Sequence, residues 1–209
     1  ADCPNIKQFL KETSLPEDRD VIKEMIGLIL YRSNFLKKGF IFLGETDTGK
    51  TTLIKLLHEF VGNKNTSGVA MQNIGDRFSN SFLYGKLLNF VDDLTTADVS
   101  NTGGLKQALG GGWMSGEMKF GSQFQFMNVA TFIFATNEIA LPRKNIDDNA
   151  YYNRWYIFRF LNEFTNEKGN KNPNLIEDLT TQEELEGLLI YAIEGLKRLI
   201  DNGKFIREQ

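Results

Sequence analysis

The chain has 209 residues, 41% of them apolar and 24% charged, with 24 lysines and arginines against 27 aspartates and glutamates, for a net charge of −3. That apolar share supports a real core in a domain of ordinary size, so whole-chain disorder is excluded; 17 Phe with only 4 Pro exclude collagenous and low-complexity classes. A single cysteine (Cys3) and a single histidine (His58) exclude an internal disulfide and a Cys/His zinc cluster. No run of about 18 apolar residues exists, so no membrane-spanning helix is expected. The acidic balance argues against a domain that grips nucleic acid through a broad basic surface, and any such contact has to come from a few local lysines and arginines. The opening Ala-Asp-Cys-Pro has neither an initiator Met nor the regions of a signal peptide, and reads as a piece of a longer protein.

In chain order, residues 5–13 and 17–35 read as two helices, with Pro16 suited to the start of the second. The apolar run Gly39–Gly44 fits a buried parallel strand, and residues 50–61 an amphipathic helix. Further strands are expected at Leu87–Val91, stopped by Asp92-Asp93, at Val129–Ala135, stopped by Thr136-Asn137, and at Trp155–Phe160. Between the second and third, the glycines and aromatics of 110–126 read as a hairpin. The polar stretch 162–181 reads as a linker, and residues 182–202 as a last amphipathic helix. Strands alternating with helices predict an α/β fold with a parallel sheet covered on both faces.

Gly44-Glu45-Thr46-Asp47-Thr48-Gly49-Lys50-Thr51 matches G-x-x-x-x-G-K-[ST] in full, between an apolar strand and a helix as the mechanism of that motif requires. Glycines let backbone amides wrap phosphates, the helix N-terminus adds positive potential, Lys50 reaches the β- and γ-phosphates, and Thr51 is a magnesium ligand. The binding segment extends from Gly44 to Thr52. At the end of the next apolar strand, Asp92 can hold a Mg²⁺ shell while Asp93 orients or deprotonates the attacking water. Asn137, also at a strand end, reads by itself as a turn residue. His58, within the helix of the phosphate loop, reads as packed or solvated.

These elements, in this order, resemble the superfamily 3 helicases of viruses, phages and plasmids, which carry an AAA+-type P-loop core. The likeness is greatest to the helicase part of phage and plasmid primase–helicases and to poxvirus-type NTPases. Leu105-Lys-Gln-Ala-Leu-Gly-Gly-Gly112, Glu138-Ile-Ala-Leu-Pro142, Asn153-Arg-Trp-Tyr-Ile-Phe-Arg-Phe160 and the tail Leu185–Leu199 carry it, over roughly residues 20–200.

The resemblance implies an ATP-dependent DNA helicase with ATP and Mg²⁺ as cofactors, single-stranded DNA as partner and a hexameric ring of identical subunits. It also implies primase or other flanking domains in the parent chain and a location in the host cytoplasm. Asn137 becomes the polar sensor of the γ-phosphate, and Arg154 the arginine finger that enters a neighbour's site. Arg159 reads as structural. Lys106 is a second residue directed across the subunit interface. Lys119 and Phe120 fall where the family's DNA-translocating hairpin lies, gripping a phosphate and packing on a sugar or base. The implied organisation is a helical segment over 1–36, an ATPase core over 37–163 with the inserted hairpin, and a linker with a C-terminal helix over 164–209. Two aspartates stand where many phage and plasmid relatives have a glutamate, a difference that concerns the subfamily rather than activity. Two other readings of the same residues remain: a nucleotide kinase-like P-loop phosphotransferase, and an ATP-binding assembly module without translocation.

Overall fold

A computed structural model describes residues 1–94, 102–138 and 151–207. The elements are α1 (Pro4–Thr13), a 3₁₀ turn (Pro16–Asp18), α2 (Arg19–Leu30), β1 (Gly39–Leu43), α3 (Lys50–Val61), β2 (Thr66–Ser67), α4 (Arg77–Ser81), β3 (Leu88–Val91), α5 (Thr102–Leu109), β4 (Trp113–Glu117), β5 (Gln123–Met127), β6 (Thr131–Thr136), β7 (Trp155–Arg159), α6 (Leu175–Leu179) and α7 (Gln182–Asn202). The Ile139–Pro142 part of one phrase quoted above lies outside the described residues.

Five strands form a parallel sheet in the order β2-β3-β6-β1-β7, and β4 and β5 form a separate antiparallel hairpin. β1 lies between β6 and β7, with Phe40 opposite both Ile133 and Tyr156. Because the central strands are covered on both faces, they are apolar at nearly every position rather than alternating. Phe40, Phe42, Ile133, Ala135, Phe158 and Phe160 face the helical layer of α1, α2, α3 and α7. Ile41, Phe132, Phe134 and Trp155 face the other way, onto Leu105, Leu109, Met114 and Phe126 of α5 and the hairpin. Helices on both faces of a parallel sheet thus hold the molecule together, as the strand–helix alternation predicts.

Two buried carboxylates tie the chain's ends into this layer. Glu184, 4% exposed, accepts hydrogen bonds from the amides of Asn5 and Ile6, each at 3.0 Å, and so caps α1 from α7. Glu24, fully buried, accepts from Arg198 Nε at 2.9 Å and from the Ile206 amide at 3.0 Å. α2 approaches α7 closely at Gly27, where a Cβ would fall 2.4 Å from the Ala192 carbonyl oxygen.

Three boundaries depart from the sequence reading. The second helix ends at Leu30 rather than 35, since Tyr31 is extended and its amide closes back on Leu28. The 162–181 stretch is more than a linker, because it contains α6, whose Leu179 is fully buried. Finally, β2 and α4 lie in a segment where no element was expected; β2 is only two residues long, too short for any periodic signal. Among the described residues, no helix is long and apolar enough to cross a membrane.

Candidate functional site

Parallel strands deliver their carboxyl ends to one edge, the usual place for a ligand in an open α/β sheet. Here that edge collects the 44–49 loop after β1, Asp92 and Asp93 after β3, and Asn137 after β6. β6 is interposed between β1 and β3, so Asn137 stands between the loop and the aspartates. Asp92, Asp93 and Asn137 are all exposed. Their strand ends are stitched together just beyond Asp93: the Leu94 amide donates to the Ala135 carbonyl at 2.8 Å, and Thr136 Oγ1 donates to the Leu94 carbonyl at 3.2 Å.

The loop itself has the close approaches its glycines predict. A Cβ on Gly44 would meet the Phe160 carbonyl oxygen at 2.3 Å. Gly49 has φ +93°, and a Cβ there would fall 2.7 Å from the Thr13 γ-methyl. Lys50 opens α3 and is 7% exposed. Its ammonium donates to the carbonyls of Gly44 and Glu45, both at 2.6 Å, and lies 3.4 Å from Thr48 Oγ1. Thr48 Oγ1 in turn donates to the Glu45 carbonyl at 2.8 Å. Burial pushes the Lys50 pKa down, opposed by the carboxylates of Glu45 and Asp93. Lys50 therefore staples a loop whose amides stand at a helix N-terminus, an arrangement suited to a polyanion that takes over the lysine's hydrogen bonds. Glu45, Thr46, Asp47 and Thr51 are exposed beside it, and Thr52 is half-buried.

Among the described residues no group of three or more His, Cys, Asp or Glu side chains is assembled to hold a metal. Mg²⁺ uses one or two carboxylates and fills its shell with water and phosphate oxygens, so Thr51 and Asp92 are the residues that could hold one.

Arg154 is at the other end of the sheet. It precedes β7, and its carbonyl accepts from the Gly39 amide at the amino end of β1. Its guanidinium lies toward Gly110, where a Cβ would fall 3.9 Å from Nη1 and 2.9 Å from the Lys106 carbonyl oxygen. The backbone of Lys106 and the guanidinium of Arg154, the two residues expected to cross an interface, thus both lie beside Gly110, just past the C-terminal end of α5. Arg159, by contrast, pairs with Leu43 at the loop edge and is exposed.

Lys119 and Phe120 form the tip of the β4–β5 hairpin. Phe120 is 97% exposed with φ +64°, and the Lys119 ammonium lies 5.5 Å from its ring centroid. α4 and the turn after it brace the hairpin: Asn80 Nδ2 donates to the Ser115 carbonyl at 3.1 Å, Arg77 pairs with Glu117 at 3.1 Å, and Tyr84 packs edge-on against Phe124. His58 is packed, its Nδ1 3.1 Å from Thr66 Oγ1 and its ring against Phe90.

One feature of this edge carries no signal in the sequence. The segment after β7 folds back over the loop: the Phe164 amide donates to the Asp47 carbonyl at 2.8 Å, and Lys171 pairs with the Asp47 carboxylate at 3.2 Å. These residues lie in a polar, aperiodic stretch, and their partner is more than 100 positions away.

The family model described as "Family of unknown function (DUF5906)" matches residues 42–159, which contain the loop, both aspartates, Asn137, the hairpin and Arg154. Among solved structures, the chain is similar to the A-form apo structure of the NrS-1 C terminal region, with a TM-score of 0.71 and 18% identity over 96% of this chain and 51% of that one. A second apo structure of the NrS-1 C terminal region gives a TM-score of 0.71 and 18% identity over 97% of this chain and 52% of that one. At that identity the likeness concerns the fold, and the chain spans about half the length of those structures. Among curated proteins, no match is found.

Proposed function

This chain belongs to the DUF5906 family, a family of unknown function, and from its own site we propose that it is the ATP-hydrolysing, AAA+-type helicase domain of a replication protein. One observation carries the reading: a complete G-x-x-x-x-G-K-T loop, an Asp-Asp pair and an Asn share one edge of a parallel sheet, with the Asn strand interposed between the other two.

In this mechanism the amides of residues 44–52 wrap the triphosphate, and Lys50 leaves the Gly44 and Glu45 carbonyls for the β- and γ-phosphates. Thr51 and Asp92 would hold Mg²⁺, which when bound would neutralise developing phosphate charge. Asp93 orients and deprotonates the attacking water, and Asn137 fixes that water against the γ-phosphate. Arg154 lies too far from its own loop to serve it and acts in the site of the next subunit of a ring. Lys119 and Phe120 project into the channel of that ring, where repetition around it concentrates one basic finger per subunit. This also accounts for an acidic chain that binds DNA.

The test is ATP turnover with and without single-stranded DNA, run beside sedimentation. DNA-stimulated turnover by an oligomer supports the helicase reading; turnover without stimulation favours an ATP-binding assembly module. Lys50→Ala should abolish turnover and keep the fold, because the residue tethers only its own loop. Wild-type turnover in that variant would remove the nucleotide assignment altogether.

A further inference from the structure

α7 is apolar in two directions. On its inner side Leu188, Ala192 and Leu199 are fully buried in the core. On its outer side Leu189, Ile190, Ile193 and Ile200 are each 42–49% exposed. Steps of four and seven residues, from 189 to 193 and from 193 to 200, return to one face of a helix. Three of these side chains therefore form a line, and Ile190 flanks it. Single exposed apolar residues are ordinary on a protein surface, whereas an aliphatic line over three turns is a seam on which a second helix packs.

Charge along the same face selects the occupant. Glu186 lies on this face toward the start of α7, Lys197 toward its end, and Lys204 just past the Gly203 cap; all three are exposed. Glu186 accepts from Gln182 Nε2 at 2.8 Å, but among the described residues none of the three has an ion-pair partner. Their neighbours do: Glu194 pairs with Lys23, and Arg198 with Asp20 and Glu24. The uncovered face is thus negative at one end and positive at the other. A second α7 laid antiparallel, about a two-fold axis near residue 195, sets Ile190 opposite Ile200 and Ile193 beside the aliphatic stem of Lys197. The same axis brings Glu186 within reach of Lys204. A parallel copy sets Glu186 against Glu186 and Lys197 against Lys197, which disfavours it.

We infer that this face of α7 binds the same face of a second copy of the chain, antiparallel, with Ile193 near its centre and two Glu186–Lys204 pairs at its ends. The contact is distinct from the ring interface assigned to Lys106 and Arg154, because α5 covers the opposite face of the sheet from α7. It requires no nucleotide. With one helix from each copy it is smaller than the ~1,600 Å² of a standard interface, so the pairing is reversible and set by concentration.

Sedimentation equilibrium over a concentration series in nucleotide-free buffer is the test. The wild type should pass from monomer to dimer. Ile193→Glu should stay monomeric over the same range. Its circular dichroism and melting temperature should hold at wild-type values, because the position is already open to solvent. Glu186→Lys and Lys204→Glu should each raise the dissociation constant by about threefold to tenfold, the scale of two symmetry-related exposed ion pairs. The double variant restores opposite charges across the axis and should return to within about twofold of the wild type. A wild type that stays monomeric, or self-association unaffected by Ile193→Glu, overturns the interface. A double variant weaker than either single variant overturns the antiparallel arrangement, and the inference with it.

Discussion

Arg154 and Arg159 stand at opposite ends of one strand: the first precedes β7 beside Gly39, and the second closes it beside Leu43. Five residue steps along a strand separate their backbones by about 16 Å. Arg159 therefore shares the edge of its own chain's loop, while Arg154 faces α5 and the region expected to meet a neighbouring subunit.

From this separation, Arg154→Ala should keep nucleotide binding and lose hydrolysis by about 10³-fold or more, the scale of an arginine finger. Mixed with Lys50→Ala, it should recover part of the activity, since some interfaces then combine an intact loop with an intact Arg154. Titrating one variant into the other is the measurement; a mixture no better than either variant alone rules out action across the interface.

The hairpin tip separates DNA coupling from bare hydrolysis. Lys119→Ala should weaken single-stranded DNA binding and reduce its salt slope by about 0.7, one phosphate contact for a single strand. Phe120→Ala should cost about 1–3 kcal/mol of DNA affinity if its exposed ring stacks on a base. Basal ATP turnover in DNA-free buffer should track the nucleotide edge rather than the tip. Affinities measured at several salt concentrations decide this, and an unchanged slope for Lys119→Ala moves the contact elsewhere.

Glu184 makes a stability prediction independent of function. Its carboxylate holds the Asn5 and Ile6 amides from a position 4% exposed, so Glu184→Ala strands two donors at the start of α1. The expected loss is about 2 kcal/mol, within the range for buried groups left unpaired. Glu184→Gln, which keeps one acceptor oxygen, should lose less. Urea unfolding followed by tryptophan fluorescence measures both, and equal stability of Glu184→Ala and wild type excludes the cap.

Alkaline pH should destabilise the protein through buried Tyr156 and half-buried Tyr191. Burial, with Asp18 as a lesser cause, pushes the Tyr156 pKa up to about 12, and burial does the same for Tyr191. An unfolded tyrosine ionises near 10. Between about pH 10 and 12 the folded chain thus binds more protons than the unfolded one, so stability is complete below 10 and falls as pH rises through this window. The Tyr156 hydroxyl is buried without a partner, so Tyr156→Phe should cost little at pH 7 and flatten the alkaline decline. Melting temperatures from pH 7 to 12 test this; a variant that declines as steeply as wild type refutes Tyr156 as a contributor.

The local elements were legible because their causes are local. The glycine-terminated apolar run and the G-K-T that follows it specify β1, the loop and the start of α3 within a dozen residues. The helical spacing of Leu185, Leu188, Ala192 and Leu199 specifies α7, whose bounds agree with the sequence reading to the residue. The glycines and aromatics around Lys119 specify a hairpin in the same way.

What the tertiary structure alone decided is where those pieces meet. Strand order depends on pairings between residues about 90 positions apart, such as Phe40 with Ile133, and no local pattern encodes that β6 lies between β1 and β3. The same holds for Arg154 and Arg159, which have similar neighbours in sequence and opposite surroundings in space. It holds most for residues 161–171, whose polar composition reads as a linker. Among the contacts that order them are a backbone hydrogen bond and an ion pair to Asp47, which exist only once the sheet has brought the end of β7 beside the end of β1.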